Sequence, residues 1–239
     1  MTNLLRIELL KLRGTLSPLL CVLAPALVAM VALLIALRQP QQGWTPLLIN
    51  TLGLWCYFVL PMVVAALAAL LAQIEHGPRA WDHLFALPIS RSGVVLAKAA
   101  VLMILIGTMS MLLVVLCFVI GLLAGEGVAP DLTLGSFPWS KAVGMAGAAW
   151  AASGLMAVLQ LWVALRFRSF VAPVALGLAG TFLVVAAMGA PESIVLPWAM
   201  PLGTISMPQG NPLAALAVGL LGGLLLAPLM ATHLARRDF

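Results

Sequence analysis

Long apolar runs alternate with short polar segments along the whole chain. A helix needs about 20 apolar residues to cross the hydrocarbon core of a bilayer, and six runs are close to that length or longer. None of the six contains Lys, Arg, Asp or Glu. The pattern therefore predicts six transmembrane helices, over residues 17–37, 44–72, 99–124, 142–165, 170–188 and 213–234.

The composition of the chain agrees with this pattern. Of its 239 residues, 64% are hydrophobic and 8% are charged, whereas a soluble domain is about half apolar and a quarter charged. We therefore predict an all-α integral membrane protein in which residues 1–239 form a single transmembrane domain.

The basic residues are distributed unevenly between the predicted spans. Of the 12 Lys and Arg residues, only Arg38 and Lys141 lie on one side, and the other ten lie on the opposite side. Because Lys and Arg are enriched in cytoplasmic loops, both termini are predicted to be cytoplasmic. Basic residues with interleaved aromatics do not form a patch, so a nucleic acid is not an expected partner.

Sites for catalysis, cofactors or metals are not expected in this chain. Its cysteines (Cys21, Cys56 and Cys117) lie in apolar runs and are predicted to be buried and reduced. The sequence contains no G-x-x-x-x-G-K-[ST] phosphate-binding loop and no H-E-x-x-H motif. Proton-driven transporters usually carry ionisable residues inside the membrane, so any transport by this chain should take its energy from another chain.

The segment after the second predicted span contains a predicted short helix. Pro78 suits its first position and Pro88 ends it, while Trp81, Leu84 and Phe85 fall at i, i+3 and i+4 on one face. Such a helix can lie among lipid headgroups or seat its aromatics in a groove of a soluble partner. The residues alone favour the two alternatives about equally, with the lipid surface slightly ahead.

The N-terminal stretch, residues 3–13, is also predicted to be helical. Glu8 and Lys11 are one turn apart and can pair. We expect this helix to lie along the membrane surface, with Arg6 and Arg13 near anionic lipid headgroups.

The segment between the fifth and sixth predicted spans, residues 189–212, is apolar but broken by five prolines. Short re-entrant or interfacial helices buried against the protein fit this composition. Its role remains open between a surface connection and an outward gate for the substrate.

Three motifs of the chain resemble those of type-2 ABC exporter permeases. Glu8-Leu9-Leu10-Lys11-Leu12-Arg13 resembles their E-x-x-K-x-[KR] opening. Glu75, the run W-D-x-L-x-x-L-P-x-S-R that ends at Arg91, and Leu96-Ala97-Lys98 resemble their first cytoplasmic loop, and the last four residues, R-R-D-F, resemble their ending. The size and the start look most like permeases of lantibiotic and bacitracin self-protection systems.

The resemblance implies the permease subunit of an ABC exporter in the bacterial cytoplasmic (inner) membrane. Two separate ABC ATPase subunits, holding ATP and Mg, would dock below it, and a second permease copy or a related subunit would complete the complex. The short helix after the second span becomes the coupling helix, and the substrate a hydrophobic or amphipathic peptide, antibiotic or lipid. The residues implied in ATPase coupling are Glu75, Arg79, Trp81, Asp82, Leu84, Phe85, Pro88 and Arg91, and those of the N-terminal interfacial helix are Glu8, Lys11 and Arg13.

Two other classes of function are alternatives to the exporter. An ATP-independent membrane scaffold or assembly factor would need no docking helix in the first cytoplasmic loop. A membrane-embedded enzyme acting on lipid is disfavoured, because the predicted spans carry no Asp, Glu or metal-type His cluster.

Overall fold

The computed structural model describes residues 2–38, 43–76, 90–127, 136–187, 196–205 and 211–236, and every regular element in these ranges is helical. The predicted all-α class is therefore confirmed for the described part of the chain. A 3-10 turn (Leu12–Gly14) follows the first helix, and a π-helical turn (Trp55–Val59) joins the third helix to the fourth. The helices are α1 (Thr2–Lys11), α2 (Ser17–Arg38), α3 (Trp44–Leu54), α4 (Leu60–His76), α5 (Arg91–Gly127), α6 (Trp139–Ala152), α7 (Gly154–Arg166), α8 (Val171–Ala186), α9 (Met200–Gly203) and α10 (Pro212–Ala235).

Within the described ranges, four helical stretches are long and apolar enough to cross a membrane: α2, α3 with α4, α5, and α10. Helices α6 and α7 are bent by 41° at their junction and make a fifth span if the bent pair crosses as one. Helix α8 has 16 residues, fewer than the roughly 20 that a straight span needs. The structure thus supports four or five spans, and the helix at the predicted fifth span (170–188) is shorter than expected.

The π-helical turn lies where the second predicted span meets a proline. Pro61 has no N–H to donate to the carbonyl of Tyr57, and the backbone immediately before it widens into π-type hydrogen bonding. Trp55, in this turn, is fully buried and donates from Nε1 to Oγ of Ser110 on α5 at 3.3 Å. The span is therefore tied to α5 at its irregular point.

Helix α2 turns its small side chains inward and its large ones outward. Ala24, Ala32 and Ala36 are buried, whereas Leu23 and Leu27 are 53% and 51% exposed. Small residues let helix backbones approach closely, which is how helices associate in a lipid solvent. The exposed leucines fit a face that lies against lipid acyl chains.

Helix α10 crosses the α6–α7 bend at two glycines spaced four apart. A Cβ at Gly219 would collide with the carbonyl oxygen of Ala152, and one at Gly223 would stand 2.6 Å from the carbonyl carbon of Gly154. This G-x-x-x-G spacing is typical of close helix crossings. Gly154, within the fourth predicted span, therefore makes this close contact within the chain.

The described part of the segment between the fifth and sixth predicted spans, residues 196–205, lies against the protein as predicted. Its short helix α9 is buried along its whole length and packs against α6 and α10. The ring of Trp198 lies directly over Gly180 of α8, where a Cβ would overlap the indole. The lack of a side chain at Gly180 therefore makes room for this segment.

A buried amide joins residues 196–205 to α7 and α8. In the orientation that matches donors with acceptors, Gln160 donates to the carbonyl of Pro173 at 2.9 Å and accepts from the backbone N–H of Gly177 at 3.1 Å. The same amide oxygen accepts from Nε1 of Trp198 at 3.3 Å. Gln160 is fully buried. Its hydrogen bonds therefore satisfy polar atoms that would have no partner in lipid.

Candidate functional site

Four charged side chains from three helices meet at one end of the helix bundle. Glu8 and Lys11 come from α1, Glu75 from the last turn of α4, and Lys98 from a position two turns into α5. We call these four residues the ionic cluster. Because α4 ends at residue 76 and α5 begins at residue 91, both flanks of residues 77–89 contribute to it.

Lys98 is the centre of the ionic cluster. Its Nζ lies 2.6 Å from Oε2 of Glu8 and 3.0 Å from Oε1 of Glu75, and it donates to the carbonyl oxygen of Leu71 at 3.3 Å. An ammonium group has three donors. Each donor of Lys98 therefore has an acceptor, two of them charged.

Lys11 closes the ionic cluster into a ring. Its Nζ lies 2.7 Å from Oε1 of Glu8 and 2.8 Å from Oε1 of Glu75, so acidic and basic groups alternate around the ring. The pairing of Glu8 with Lys11, predicted from their spacing, is confirmed. With two carboxylates and two ammonium groups, the formal charge of the cluster is zero.

The ionic cluster is shielded from solvent on most sides. The side chains of Lys98, Glu75 and Glu8 are 0%, 2% and 3% exposed, and that of Lys11 is 26% exposed. Burial by itself would lower the pKa of Lys11, but its hydrogen bonds to Glu75 and Glu8 outweigh burial and raise the pKa above its ordinary value. Lys11 therefore stays charged at neutral pH.

Breaking such a buried ring of charges has a large free-energy cost. Burying charges has a large desolvation cost that mutual pairing offsets, and removing one partner of a buried pair typically costs about 3–5 kcal/mol. The end of α4, the start of α5 and the end of α1 should therefore behave as one rigid unit.

The last turns of α4 also contact the connection between α7 and α8. Nε2 of Gln73 donates to the backbone carbonyl of Arg168 at 3.2 Å, and Nε2 of His76 lies 3.1 Å from the carbonyl oxygen of Ala164. The same end of α4 thus bonds to α1 and α5 on one side, and to the end of α7 and the α7–α8 connection on the other.

The predicted site residues fall into three groups. Glu8, Lys11 and Glu75 come together in the ionic cluster, whereas Arg13 is exposed in the 3-10 turn after α1 and Arg91 is the first residue of α5. The remaining predicted coupling residues lie outside the described part of the chain: Arg79, Trp81, Asp82, Leu84, Phe85 and Pro88.

Sequence reasoning assigned no site role to Lys98, the most buried charge of the ionic cluster. The third span was predicted to begin at residue 99, which left Lys98 in a loop, but α5 begins at Arg91 and carries Lys98 inside it. The sequence does contain a signal for this pair. One acidic residue, Glu75, follows the second apolar run, and one basic residue, Lys98, directly precedes the third. Two such charges on consecutive helices are candidates for a pair.

The cluster offers mechanical rather than chemical possibilities. Its charged groups are engaged with one another, and no three His, Cys, Asp or Glu residues in the described ranges could hold a metal ion together. What the ionic cluster can do is hold three helix ends in a fixed relation.

The predicted burial of the cysteines is confirmed in part. Cys56 and Cys117 are buried as predicted, whereas Cys21 is only partly buried.

Comparison with known protein families gives a match. A family model described as "ABC-2 family transporter protein" matches residues 4–184, which is more than half of the chain and includes the whole ionic cluster. No curated protein and no solved structure matches the chain at a significant level.

Proposed function

Because the chain belongs to the ABC-2 family of transporter proteins, we propose that it is the permease subunit of an ABC exporter, driven by separate ATPase subunits. The observation that carries this proposal is the ionic cluster at the two flanks of residues 77–89. Glu75 and Lys98, one from each flank, lie 3.0 Å apart. A segment anchored in this way can pass a displacement on to the spans.

The energy for transport would come from two partner ATPase subunits, which hold ATP and Mg. The chain has no phosphate-binding loop of its own. Trp81 and Phe85, at i and i+4 of the predicted coupling helix, are the proposed anchors in a groove of the ATPase. Large aromatics in a desolvated pocket tend to dominate such interfaces.

The proposed topology has six spans and cytoplasmic termini. It counts the bent pair α6–α7 as one span and the short α8 as another. Arg13 and Arg168 lie at the end of the bundle that holds the ionic cluster, whereas Lys141 bonds to Thr45 near the starts of α6 and α3, at 3.2 Å. A helix of 16 residues spans about 24 Å, and local thinning of the bilayer can accommodate it.

The substrate and the complete complex belong to the proposal as well. Spans without unpaired charges favour a hydrophobic or amphipathic substrate, such as a peptide, an antibiotic or a lipid. The likeness to lantibiotic and bacitracin self-protection permeases favours an antibiotic peptide and the bacterial inner membrane. A second permease, identical or related, would complete the path.

Co-purification tests the central claim. The tagged chain, expressed with candidate ABC ATPase subunits, should capture its ATPase, and ATP hydrolysis should require the complex. Changing Trp81 and Phe85 together to Ala should abolish capture, because truncating an interface anchor typically costs about 2 kcal/mol or more. Insertion should be unaffected, since the hydropathy of the spans does not change.

The matched control changes Trp139 and Phe182, which are 45% and 60% exposed elsewhere on the protein, together to Ala; capture should remain. A scaffold or assembly factor would capture no ATPase at all. If the Trp81/Phe85 variant inserts normally and retains its full ATPase complement, the coupling assignment is wrong.

A further inference from the structure

The connection between α7 and α8 exposes two cations and two aromatic rings. Arg166 ends α7, and Phe167, Arg168 and Phe170 follow it before α8 begins at Val171. All four residues are exposed, and the two phenylalanines are 49% and 42% exposed. We call these four residues the basic–aromatic patch, because they place positive charge next to apolar surface.

The backbone of the basic–aromatic patch is held in place at two points. The N–H of Phe167 donates to the carbonyl of Val163 at 3.1 Å. The carbonyl of Arg168 accepts from Nε2 of Gln73 on α4 at 3.2 Å. The four side chains therefore project from a connection whose backbone is fixed to the bundle.

The two guanidinium groups have no acidic partner among the described residues. Glu8 and Glu75, the only two acids whose side chains the structure describes, are engaged in the ionic cluster. Cζ of Arg166 lies 5.3 Å from the centre of the Phe167 ring, within the range at which a cation and an aromatic face attract each other. A guanidinium held in this way still offers N–H donors whose fork matches the geometry of a phosphate.

The short length of α8 sets the depth of the basic–aromatic patch. Helix α8 has 16 residues and spans about 24 Å, whereas the hydrocarbon core of a bilayer is about 30 Å thick. Leu178 and Phe182, one turn apart on α8, are 40% and 60% exposed and fit a lipid-facing side. A span shorter than the core brings its flanking residues close to the acyl chains, so the patch lies at the level of the headgroups.

The end of α10 adds a third cation to this end of the bundle. Nε1 of Trp162, one turn before Arg166 on α7, donates to Nδ1 of His233 in the last turn of α10 at 3.1 Å. Arg236 follows three residues later and is exposed. The ends of both helices are therefore positively charged.

We propose that the basic–aromatic patch is a binding site for an anionic phospholipid of the adjacent leaflet, which is the cytoplasmic leaflet in the proposed topology. Arg166 and Arg168 bind the phosphate, and Phe167 and Phe170 lie against the first carbons of the acyl chains. The inference goes beyond the proposed function, because it concerns the chain and its lipid and requires no ATPase.

An acidic surface of the ATPase and a free phosphate ion are the competing occupants. Exposed aromatic rings beside basic side chains are typical of segments that lie in an anionic membrane surface. The two phenylalanines directly precede a short span, where lipid is the nearest apolar phase. A free phosphate would use the guanidinium groups alone and leave both rings exposed to water.

Lipid binding is measured on the purified full-length chain by native mass spectrometry. The probe is dioleoylphosphatidylglycerol, and dioleoylphosphatidylcholine is the comparison lipid. Arg166→Gln with Arg168→Gln should weaken binding of phosphatidylglycerol by at least about tenfold, because each basic residue at an anionic surface contributes to the attraction. The matched control, Arg38→Gln with Lys141→Gln, removes two exposed cations elsewhere on the protein and should bind phosphatidylglycerol like the parent chain.

Photo-crosslinking places the lipid on the protein. The photo-reactive analogue p-benzoylphenylalanine replaces the residue at 167, and the chain is reconstituted in vesicles with equal parts of the two lipids. Crosslinks from residue 167 should be mainly to phosphatidylglycerol, and this preference should be lost in the Arg166/Arg168 variant. The same analogue at residue 182, farther along α8, should crosslink both lipids equally, because it faces acyl chains.

Each result supports or overturns the lipid site. Equal crosslinking of both lipids from residue 167 overturns it, and this measurement on the otherwise unchanged chain decides the matter should the Arg166/Arg168 variant fail to insert. Undiminished binding in that variant, or an equal loss in the Arg38/Lys141 control, also overturns it. Displacement of the lipid by inorganic phosphate at the same concentration would assign the site to a free anion instead.

The ATPase alternative has its own result. An Arg166/Arg168 variant that binds phosphatidylglycerol normally but no longer captures the ATPase would assign the basic–aromatic patch to that partner and overturn the lipid site. None of these results bears on the proposed function, which depends on capture of the ATPase by the unchanged chain.

Discussion

Lys98 is the least exposed charged residue in the described part of the chain. Its two carboxylate partners come from different helices. Changing Lys98 to Met leaves Glu8 and Glu75 buried with Lys11 as their only cation. We expect a loss of about 3–5 kcal/mol in the free energy of unfolding, because one partner of a buried ion pair is removed. Titration of the purified protein with SDS in mixed micelles measures this loss.

Lys141→Met is the control for this change. Lys141 is exposed and donates to Oγ1 of Thr45 at 3.2 Å, and exposed substitutions of this kind usually stay within about 0.5 kcal/mol. Equal stability of the Lys98 and Lys141 variants would contradict the energetic role of the ionic cluster.

Between elements, the crossing of α10 over the α6–α7 bend depends on the absence of a side chain. In Gly219→Ala the new Cβ meets the backbone oxygen of Ala152, which cannot rotate away as a side chain would. The helices must separate, and we expect a loss of about 1–3 kcal/mol. Gly144→Ala, where nothing lies within 4 Å, should be neutral or stabilising because Ala favours helix. The same SDS titration compares them, and equal losses at both positions would argue against the crossing.

The contact between residues 196–205 and α7 can also be tested by a single substitution. Trp198→Phe keeps a ring over Gly180 but removes the N–H that Gln160 accepts at 3.3 Å, and a loss of about 1 kcal/mol is expected for one hydrogen bond. Trp139→Phe, at an exposed tryptophan, should change the free energy of unfolding less. A larger loss at Trp139 than at Trp198 would show that the amide of Gln160 contributes little.

At the scale of the whole molecule, the proposed topology places residue 168 inside the cell and residues 141 and 213 outside. In a chain without native cysteines, Lys141→Cys and Leu213→Cys should react with an impermeant thiol reagent on intact cells. Arg168→Cys should react only after the membrane is opened, because basic residues favour the cytoplasmic side. The pair of residues 168 and 213 tests whether the short helix α8 crosses the bilayer, and reaction of Arg168→Cys from outside would reverse the orientation.

The class of the fold and the positions of the apolar helices could be predicted because they depend on local composition. A long apolar run without charges forms a helix in lipid, and this does not depend on the rest of the chain. The pairing of Glu8 with Lys11 could be predicted for a similar reason, since residues one helical turn apart are neighbours wherever the helix lies.

The start of α5 shows where local composition fails. Hydropathy treats every charge as unfavourable in a span, so the third span was predicted to begin only after Lys98. In the structure α5 begins at Arg91 and holds Lys98 within its length, where carboxylates of α1 and α4 neutralise the charge. Helix α8 (Val171–Ala186) and the buried short helix α9 (Met200–Gly203), in contrast, lie where the fifth span and the short helices of residues 189–212 were predicted.

Apolar length and the distribution of basic residues are properties of neighbouring residues, and the helical class, the spans and their predicted orientation follow from the sequence alone. The partners of Lys98, Gln160 and Gly219 were decided only by tertiary structure. Glu8 and Lys98 are 90 positions apart in the chain, and nothing in the local pattern of either helix indicates which buried group it will meet. Hydrogen bonds and ion pairs between helices depend on how the helices pack, and packing sets the relation of α1 to the two flanks of residues 77–89.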